Sequence, residues 1–383
     1  MLPVLSPQEV LRYSRHLMLP EVGMSGQKKL KSASILIVGA GGLGSPAALY
    51  LAAAGVGKIG LVDFDTVSKS NLQRQVLFAE DQVGRIKVEE ARKRLLSLNS
   101  DIDVRAYHSV FSSENAFDLL KEFDFIVDGA DNYATRYLVN DVSVLMGKPY
   151  VYGAIYRFDG QVGVFDARKG ACYRCLFAQP PAPELSPTCA EGGVLGVLPG
   201  MVGTIQASEA IKLITGIGEP AINKLLMVDA LNFRFDVIQL RKNPACKICG
   251  DTPEIHELVD YAAFCGAPIP GGDEHADLDM EITAQQLADK LRIDNYIKLI
   301  DVRNAVEAQI SAIAGARLIP YDQITSHLDE FNQDDELVLF CRTGTRSLWA
   351  LKVLREAGFT KARHLAGGIN AWAREIDNTI RQY

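Results

Sequence analysis

Three sets of residues in this chain have the types and spacing to do chemistry. The first is Gly39-Ala-Gly41-Gly42-Leu-Gly44, with Asp63 about twenty residues further on. Glycines in a G-x-G-x-x-G spacing make a tight turn and let a phosphate approach the backbone. A following helix adds free N–H groups, and a carboxylate placed like Asp63 can hold ribose hydroxyls. The second set is Cys172-x-x-Cys175 with Cys246-x-x-Cys249. Two such knuckles supply four thiolates to a tetrahedral zinc ion, in a site closed to substrate and therefore structural. Two redox dithiols are the competing reading. It is disfavoured because the first pair is read as leaving an antiparallel strand rather than opening a helix. The third set is Cys341-Arg342-Thr-Gly344-Thr-Arg346. A cysteine between a strand end and a helix start, flanked by arginines, favours a thiolate or an anionic persulfide.

Further candidates surround the glycine loop. The polar stretch from Asp65 to Gln75 contains Arg74, which can clamp a phosphate. Lys87 stands on the first turn of a predicted helix, against the favoured charge unless an anion binds there; a plain surface lysine is the alternative. Asp131, just past a strand, suits magnesium beside phosphates, or else it caps the next helix. Cys189 lies in a proline- and glycine-bearing loop and is either reactive or an inert single cysteine. By itself the glycine pattern fits a structural turn, NAD or ATP.

The elements that must position these residues follow from periodicity. Ile35–Val38 and Lys58–Val62 read as buried parallel strands around a helix with Pro46 near its start. Ser6-Pro7-Gln8-Glu9 is a capping box, predicting a helix to about Met18 whose Arg12, Arg15 and His16 form a solvated face. Strands are predicted over 102–107, 123–128, 149–152, 160–165, 171–173 and 224–229, with 160–165 and 171–173 antiparallel. Helices are predicted over 87–99, 116–122, 133–146 and 200–215. Residues 254–279, with Pro268, Pro270, Gly271 and Gly272, read as a linker. A second unit then begins. Its strands at 298–300, 316–319, 337–340 and 364–365 alternate with helices over 284–291 and 347–357 and a last one bearing Trp372. The class is α/β: a Rossmann-like nucleotide-binding domain with a mixed sheet and a structural zinc site over 1–253, and a smaller α/β domain over 280–383.

Composition sets bounds. A chain of 383 residues suits two or more domains, and a net charge of -7 argues against a general nucleic-acid surface. Met1–Gln8 shows no export signal, and Gly192–Ser208 is too broken by glycine and Pro199 for a membrane span. The expected setting is cytoplasmic. There, paired cysteines point to metal or thiol chemistry rather than a disulfide framework.

Residues 6–253 resemble the MoeB/ThiF family, bacterial relatives of ubiquitin-activating enzymes. The resemblance rests on Arg12-Tyr-Ser-Arg15, the glycine loop, Asp63-Phe-Asp65, Ser70-Asn71-Leu-Gln-Arg74-Gln75, Lys87-Val-Glu89, Asp128-Gly-Ala-Asp131-Asn132 and both knuckles. Residues 280–383 resemble a rhodanese domain through Asp301-Val-Arg303, the Cys341 loop and Gly367-Gly368. The combination is similar to MoeB–rhodanese fusions of the MoeZ type.

The resemblance implies ATP-dependent adenylation of the C-terminal glycine of a ubiquitin-like sulfur carrier ending in Gly-Gly. Under it, Asp63 binds ribose, Asn71, Arg74 and Lys87 bind phosphates, Asp131 holds Mg2+, and Arg15 crosses the interface of a homodimer. It further implies that Cys341 takes sulfur from a donor, thiosulfate or a cysteine desulfurase, and passes it as a persulfide to the acyl-adenylate. Cys189 matches a mobile-loop cysteine, a candidate resolving thiol. No separate cysteine domain is inserted, so ubiquitin-style conjugation is not expected. A molybdopterin-pathway carrier is favoured over thiamine, cysteine or tRNA-thiolation carriers. The alternatives are a NAD-dependent oxidoreductase with a redox appendage, and a carrier-binding scaffold with an inert second domain.

Overall fold

The structure, a computed structural model, describes residues 2–181, 192–265, 280–293 and 296–383. It divides into two compact units, Met1–Ile269 and Pro270–Tyr383.

The first unit is built on an eight-stranded sheet. Its strands are β1 (Ser34–Val38), β2 (Lys58–Val62), β3 (Asp103–Tyr107), β4 (Phe125–Asp128), β5 (Tyr150–Tyr156), β6 (Asp159–Phe165), β7 (Lys224–Asp229) and β8 (Arg234–Gln239), in the order β3-β2-β1-β4-β5-β6-β7-β8. Strands β1 to β5 pair in parallel, and β6, β7 and β8 add antiparallel. Ile35 to Val38 are buried because helices cover both faces of a parallel sheet, which is why β1 is a continuous apolar run. Chain order reverses on either side of β1, and this switch point opens a crevice at the carboxyl ends of β1, β2 and β4.

Small residues govern the packing on this crevice. The helix Gly44–Ala54 packs against the helix Leu198–Thr215. A Cβ on Gly203 would lie 2.5 Å from the Leu43 carbonyl oxygen, so only glycine permits the approach. The apolar stretch around Pro199 is thus a helix packed on β5 and β6. Among the described residues no helix is long and apolar enough to cross a membrane.

Four expectations change. The capping box forms, with the Ser6 hydroxyl accepting from the Glu9 N–H at 3.2 Å and the Glu9 carboxylate from the Ser6 N–H at 2.7 Å. The helix it starts, however, breaks into Pro7–Arg12 and Ser14–Leu17 at Tyr13. The Tyr13 side chain is drawn into the core, where its hydroxyl accepts from Asn99 at 2.8 Å. Residues 171–173 are not a strand: Cys172 caps the one-turn helix Tyr173–Leu176. Strand β8 has no counterpart among the expected strands. Residues 254–265 of the expected linker pack on the first unit, with Tyr261 buried and its hydroxyl donating to Asp141 at 2.7 Å.

The second unit has a five-stranded parallel sheet. Its strands are β9 (Glu281–Ile282), β10 (Lys298–Asp301), β11 (Arg317–Leu318), β12 (Leu337–Phe340) and β13 (Arg363–Leu365), ordered β11-β10-β12-β13-β9. Central β12 is wholly buried and delivers Cys341 to the start of the helix Thr345–Glu356.

Candidate functional site

The crevice of the first unit holds the glycine loop. Gly39 adopts φ +88°, and a Cβ there would lie 2.8 Å from the Gly129 carbonyl oxygen. A Cβ on Gly44 would lie 1.9 Å from the Gly39 carbonyl oxygen, so this glycine lets the helix start tight against the turn. Gly39, Gly41, Gly42, Asp63, Arg74, Lys87 and Asp131 all line one cavity. Asp63 pins the loop: its carboxylate accepts from the Ala40 N–H at 2.9 Å and the Asp65 N–H at 2.8 Å. Burial raises the Asp63 pKa, and Lys87 opposes the rise. The Arg74 guanidinium donates to the Ser70 carbonyl at 3.1 Å, which fixes its stem beside the cavity.

Asp131 is exposed at the cavity wall, and Asn132, not Asp131, caps the helix Tyr133–Leu145, accepting from the Thr135 N–H at 2.9 Å. The capping alternative for Asp131 therefore falls. Three predicted residues are not on the cavity wall. Gly44 lies behind the turn. The Asn71 carbonyl accepts from the Arg74 and Gln75 N–H groups at 3.0 and 2.9 Å, so its backbone holds that loop. Arg15 is exposed and, among the described residues, donates only to the Met18 sulfur, at 4.0 Å.

The four knuckle cysteines come together, with all sulfurs within 4.8 Å of one another. Adjacent sulfurs are separated by 3.8 Å (Cys172–Cys175), 3.6 Å (Cys172–Cys246) and 3.5 Å (Cys175–Cys249). A tetrahedral zinc with Zn–S bonds of about 2.3 Å needs sulfurs about 3.8 Å apart, so the donor set fits that ion. Because Cys172 caps a helix, the strand argument against a redox pair does not hold. The convergence of four sulfurs replaces it. Cys189 lies outside the described residues.

In the second unit, Cys341 is buried, and its sulfur accepts from the Gly344 N–H at 3.1 Å. Gly344 adopts φ +111°, which aims that N–H inward. The Arg346 guanidinium is engaged by Glu307. Both terminal nitrogens donate to Glu307 at 2.7 Å. Arg342 lies over the Tyr383 ring, 5.4 Å from its centre.

Comparison with known proteins settles the lineage. Residues 13–248 match the ThiF family, and residues 283–375 match the rhodanese-like domain. The chain belongs to the ThiF family. It is 50% identical over 385 residues to the probable adenylyltransferase/sulfurtransferase MoeZ of Mycobacterium tuberculosis, covering 99% of this chain and 96% of that one. The sulfur carrier protein adenylyltransferase of Thermus thermophilus is 53% identical over 264 residues, covering 68% of this chain and 97% of its own length. Among solved structures, Escherichia coli MccB with ATP superimposes with a TM-score of 0.54 at 27% identity, covering 62% of this chain and 73% of that one. The chain is thus an enzyme of the adenylyltransferase and sulfurtransferase class, and the dehydrogenase and inert-scaffold readings fall.

One residue of the ThiF unit's crevice, Arg136, has no part in the sequence expectations, and Asp128, quoted there only within a motif, supports it from below. Arg136 lines the cavity, is nearly buried, and donates to the Ala130 carbonyl at 3.3 Å. Asp128 is wholly buried beneath it, and burial pushes its carboxyl up to about 6 against the opposing charge of Arg136. The Arg136 Nε and one Asp128 oxygen have no hydrogen-bond partner among the described residues. A sequence cue existed for Arg136: it follows the helix cap Asn132 by one turn, so its side chain points back toward the strand end.

Proposed function

We propose that the ThiF unit binds ATP in this cavity and adenylates the C-terminal glycine of a ubiquitin-like sulfur carrier ending in Gly-Gly. The observation that carries the reading is the convergence of the glycine loop, Asp63, Arg74, Lys87 and Asp131 on one crevice at a sheet switch point. The ATP in the MccB structure and the activity for which the Thermus relative is named support it.

The carrier's carboxylate attacks the α-phosphorus of ATP, pyrophosphate leaves, and an acyl-adenylate forms. Two anions must be brought together, so fixed positive charge and orientation are the enzyme's contribution. Asp63 takes the ribose hydroxyls; Arg74 and Lys87 take phosphate oxygens, with Asn71 shaping their loop. Asp131 would hold Mg2+, which supplies further neutralisation of phosphate charge. The exposed Arg15 would reach the site of a second copy, making the active form a homodimer. Cys172, Cys175, Cys246 and Cys249 would hold a structural Zn2+, and such thiols suit a reducing cytoplasm.

Cys341 then supplies sulfur. Its persulfide attacks the acyl-adenylate, AMP leaves, and an acyl disulfide results, which a second thiol resolves to release a thiocarboxylate. Cys189 is the candidate resolving thiol. A tether between the units raises the local concentration of persulfide. Thiosulfate or a cysteine desulfurase would load Cys341, and a molybdopterin-pathway carrier is the favoured substrate. The test is pyrophosphate exchange into ATP with a panel of Gly-Gly-ended carriers. Exchange that needs both a carrier and magnesium is expected; none with any carrier would contradict the reading.

A further inference from the structure

The Cys341 sulfur is connected to solvent by a line of polar groups behind it. His364 on β13 and Glu281 on β9 are cross-strand partners. His364 also pairs with Leu339 of β12, two residues before Cys341, so His364 and Cys341 share a face of the sheet. Ser347, on the first turn of the helix Thr345–Glu356, lies between them. Its Oγ donates to the Gly344 carbonyl at 2.9 Å and lies 3.6 Å from the Cys341 sulfur and 3.5 Å from His364 Nδ1, while His364 Nε2 is 3.2 Å from a Glu281 carboxylate oxygen. Cys341, Ser347 and His364 are buried, whereas the Glu281 side chain is 54% exposed. A buried thiol thus has a route for its proton although water does not reach it.

We propose that Ser347, His364 and Glu281 form a proton relay that converts the Cys341 thiol to the thiolate that takes up sulfur. The proposal rests on the reading of Cys341 as the sulfur-bearing nucleophile. The Cys341 S–H bond breaks and its proton passes to Ser347 Oγ. The Ser347 hydroxyl turns from the Gly344 carbonyl, which it holds at rest, and its proton passes to His364 Nδ1. The Nε2 proton passes to Glu281, from which water takes it. One thiol becomes one thiolate, one proton enters solvent and no electrons change hands. The thiolate then displaces sulfite from thiosulfate and is left as a persulfide anion, cradled by the Gly344 N–H.

The tautomer follows from the partners: Nε2–H donates to the carboxylate, leaving Nδ1 to accept. Burial lowers the His364 pKa and Glu281 partly restores it, so the ring is neutral and able to accept a proton at pH 7. Among the described residues, the ring is faced by Glu281 from β9, Ser347 from the helix and Gly344 from the loop, whose added Cβ would lie 3.9 Å from its Cε1. Nearby charges of the loop have partners of their own: Arg346 pairs with Glu307, Arg303 with Asp301, and Arg342 stacks on Tyr383. Ser347 touches the reacting sulfur, whereas His364 and Glu281 act through it as positioning residues.

The test is the pH profile of Cys341 alkylation by iodoacetamide in the full-length protein, followed by mass spectrometry. It compares wild type with Ser347→Ala, His364→Asn and Glu281→Gln, and sulfur loading from thiosulfate is read on the same samples. At pH 7 the serine and histidine variants are expected to react roughly tenfold more slowly, with the inflection moved up by about one pH unit. Their rates should rejoin wild type at high pH, where hydroxide removes the proton directly. Glu281→Gln, which keeps the fold's surface, should shift in the same direction. Profiles superimposable on wild type, or lowered equally at every pH, would overturn the relay alone. Wild type that alkylates but never loads sulfur would instead overturn the reading of Cys341, and the relay's purpose with it.

Discussion

The Lys87 ammonium lies 2.7 Å from the Asp65 carboxylate, with the lysine side chain almost wholly buried and the aspartate half-exposed. A buried cation on the first turn of a helix, facing the helix's own positive end, is an unfavourable arrangement with one partly solvated partner. Under the proposed function, a phosphate in the adjoining cavity would complete it. Lys87→Ala is expected to slow carrier-dependent pyrophosphate exchange by about 10²- to 10³-fold, the usual cost of losing one preorganised positive group. Because Asp65 remains hydrated, the melting temperature should hardly change. Both are read on one preparation by exchange assay and calorimetry.

The knuckles give a second expectation. The protein as purified should contain one zinc per chain. Cys249→Ser should lose the metal and destabilise the first unit by roughly 3 kcal/mol, lowering its melting temperature by about 6–12 °C. Elemental analysis and thermal unfolding measure the two separately. Arg174, between the first pair of cysteines, donates twice to Asp141 at 2.8 Å, and Asp141 also accepts from Tyr261. Metal loss should therefore also expose Tyr261 to quenchers of its fluorescence.

Glu307 carries a third. Burial raises its pKa, but two hydrogen bonds from Arg346 outweigh this and hold the carboxyl below its ordinary value. A carboxyl lowered in the folded state contributes stability that is present above its unfolded pKa of about 4.3 and lost as pH falls through the folded value. Glu307→Ala leaves Arg346 buried without its carboxylate and should destabilise the rhodanese-like unit by about 3–5 kcal/mol at neutral pH. The variant should also lose that part of the acid sensitivity. Denaturant melts of the second unit at several pH values check both, while pyrophosphate exchange by the ThiF unit should persist.

Asp128 behaves in the opposite sense. Burial pushes its carboxyl up to about 6. A raised folded pKa means stability that is full below the unfolded value of about 3.9 and is lost as pH rises through about 6. Ionised Asp128 should therefore cost the first unit about 2–3 kcal/mol at pH 7. Asp128→Asn should melt higher than wild type at pH 7 and match it at pH 4. Equal melting temperatures at both pH values would show that the carboxylate is compensated in the native state.

Legibility from sequence followed the range of the interactions. Strands β1, β2 and β12 are apolar because they are buried on both faces, so local composition marks them. The cysteine pairs announce their chemistry through spacing alone. By contrast, β8 is exposed along its whole length, and Arg-Phe-Asp-Val-Ile-Gln carries no buried face to detect. The break at Tyr13 is made by Asn99, distant in sequence. Arg346 looked like a neighbour of the Cys341 sulfur because it is close in the chain, yet Glu307, far upstream, holds it. Arg136 is hidden in the sequence because a lone arginine on a helix reads as a solvated face unless the strand end behind that turn is known.

One measurement bears most directly on the central claim. The full-length protein, with magnesium, ATP and thiosulfate, is incubated with each Gly-Gly-ended carrier, and the carriers are weighed by mass spectrometry. The account predicts that one carrier gains the mass of one oxygen replaced by sulfur, and that the gain disappears in Cys341→Ala while adenylate still forms. Sulfur gain that survives Cys341→Ala, or a carrier that is neither adenylated nor thiolated under any condition, would contradict it.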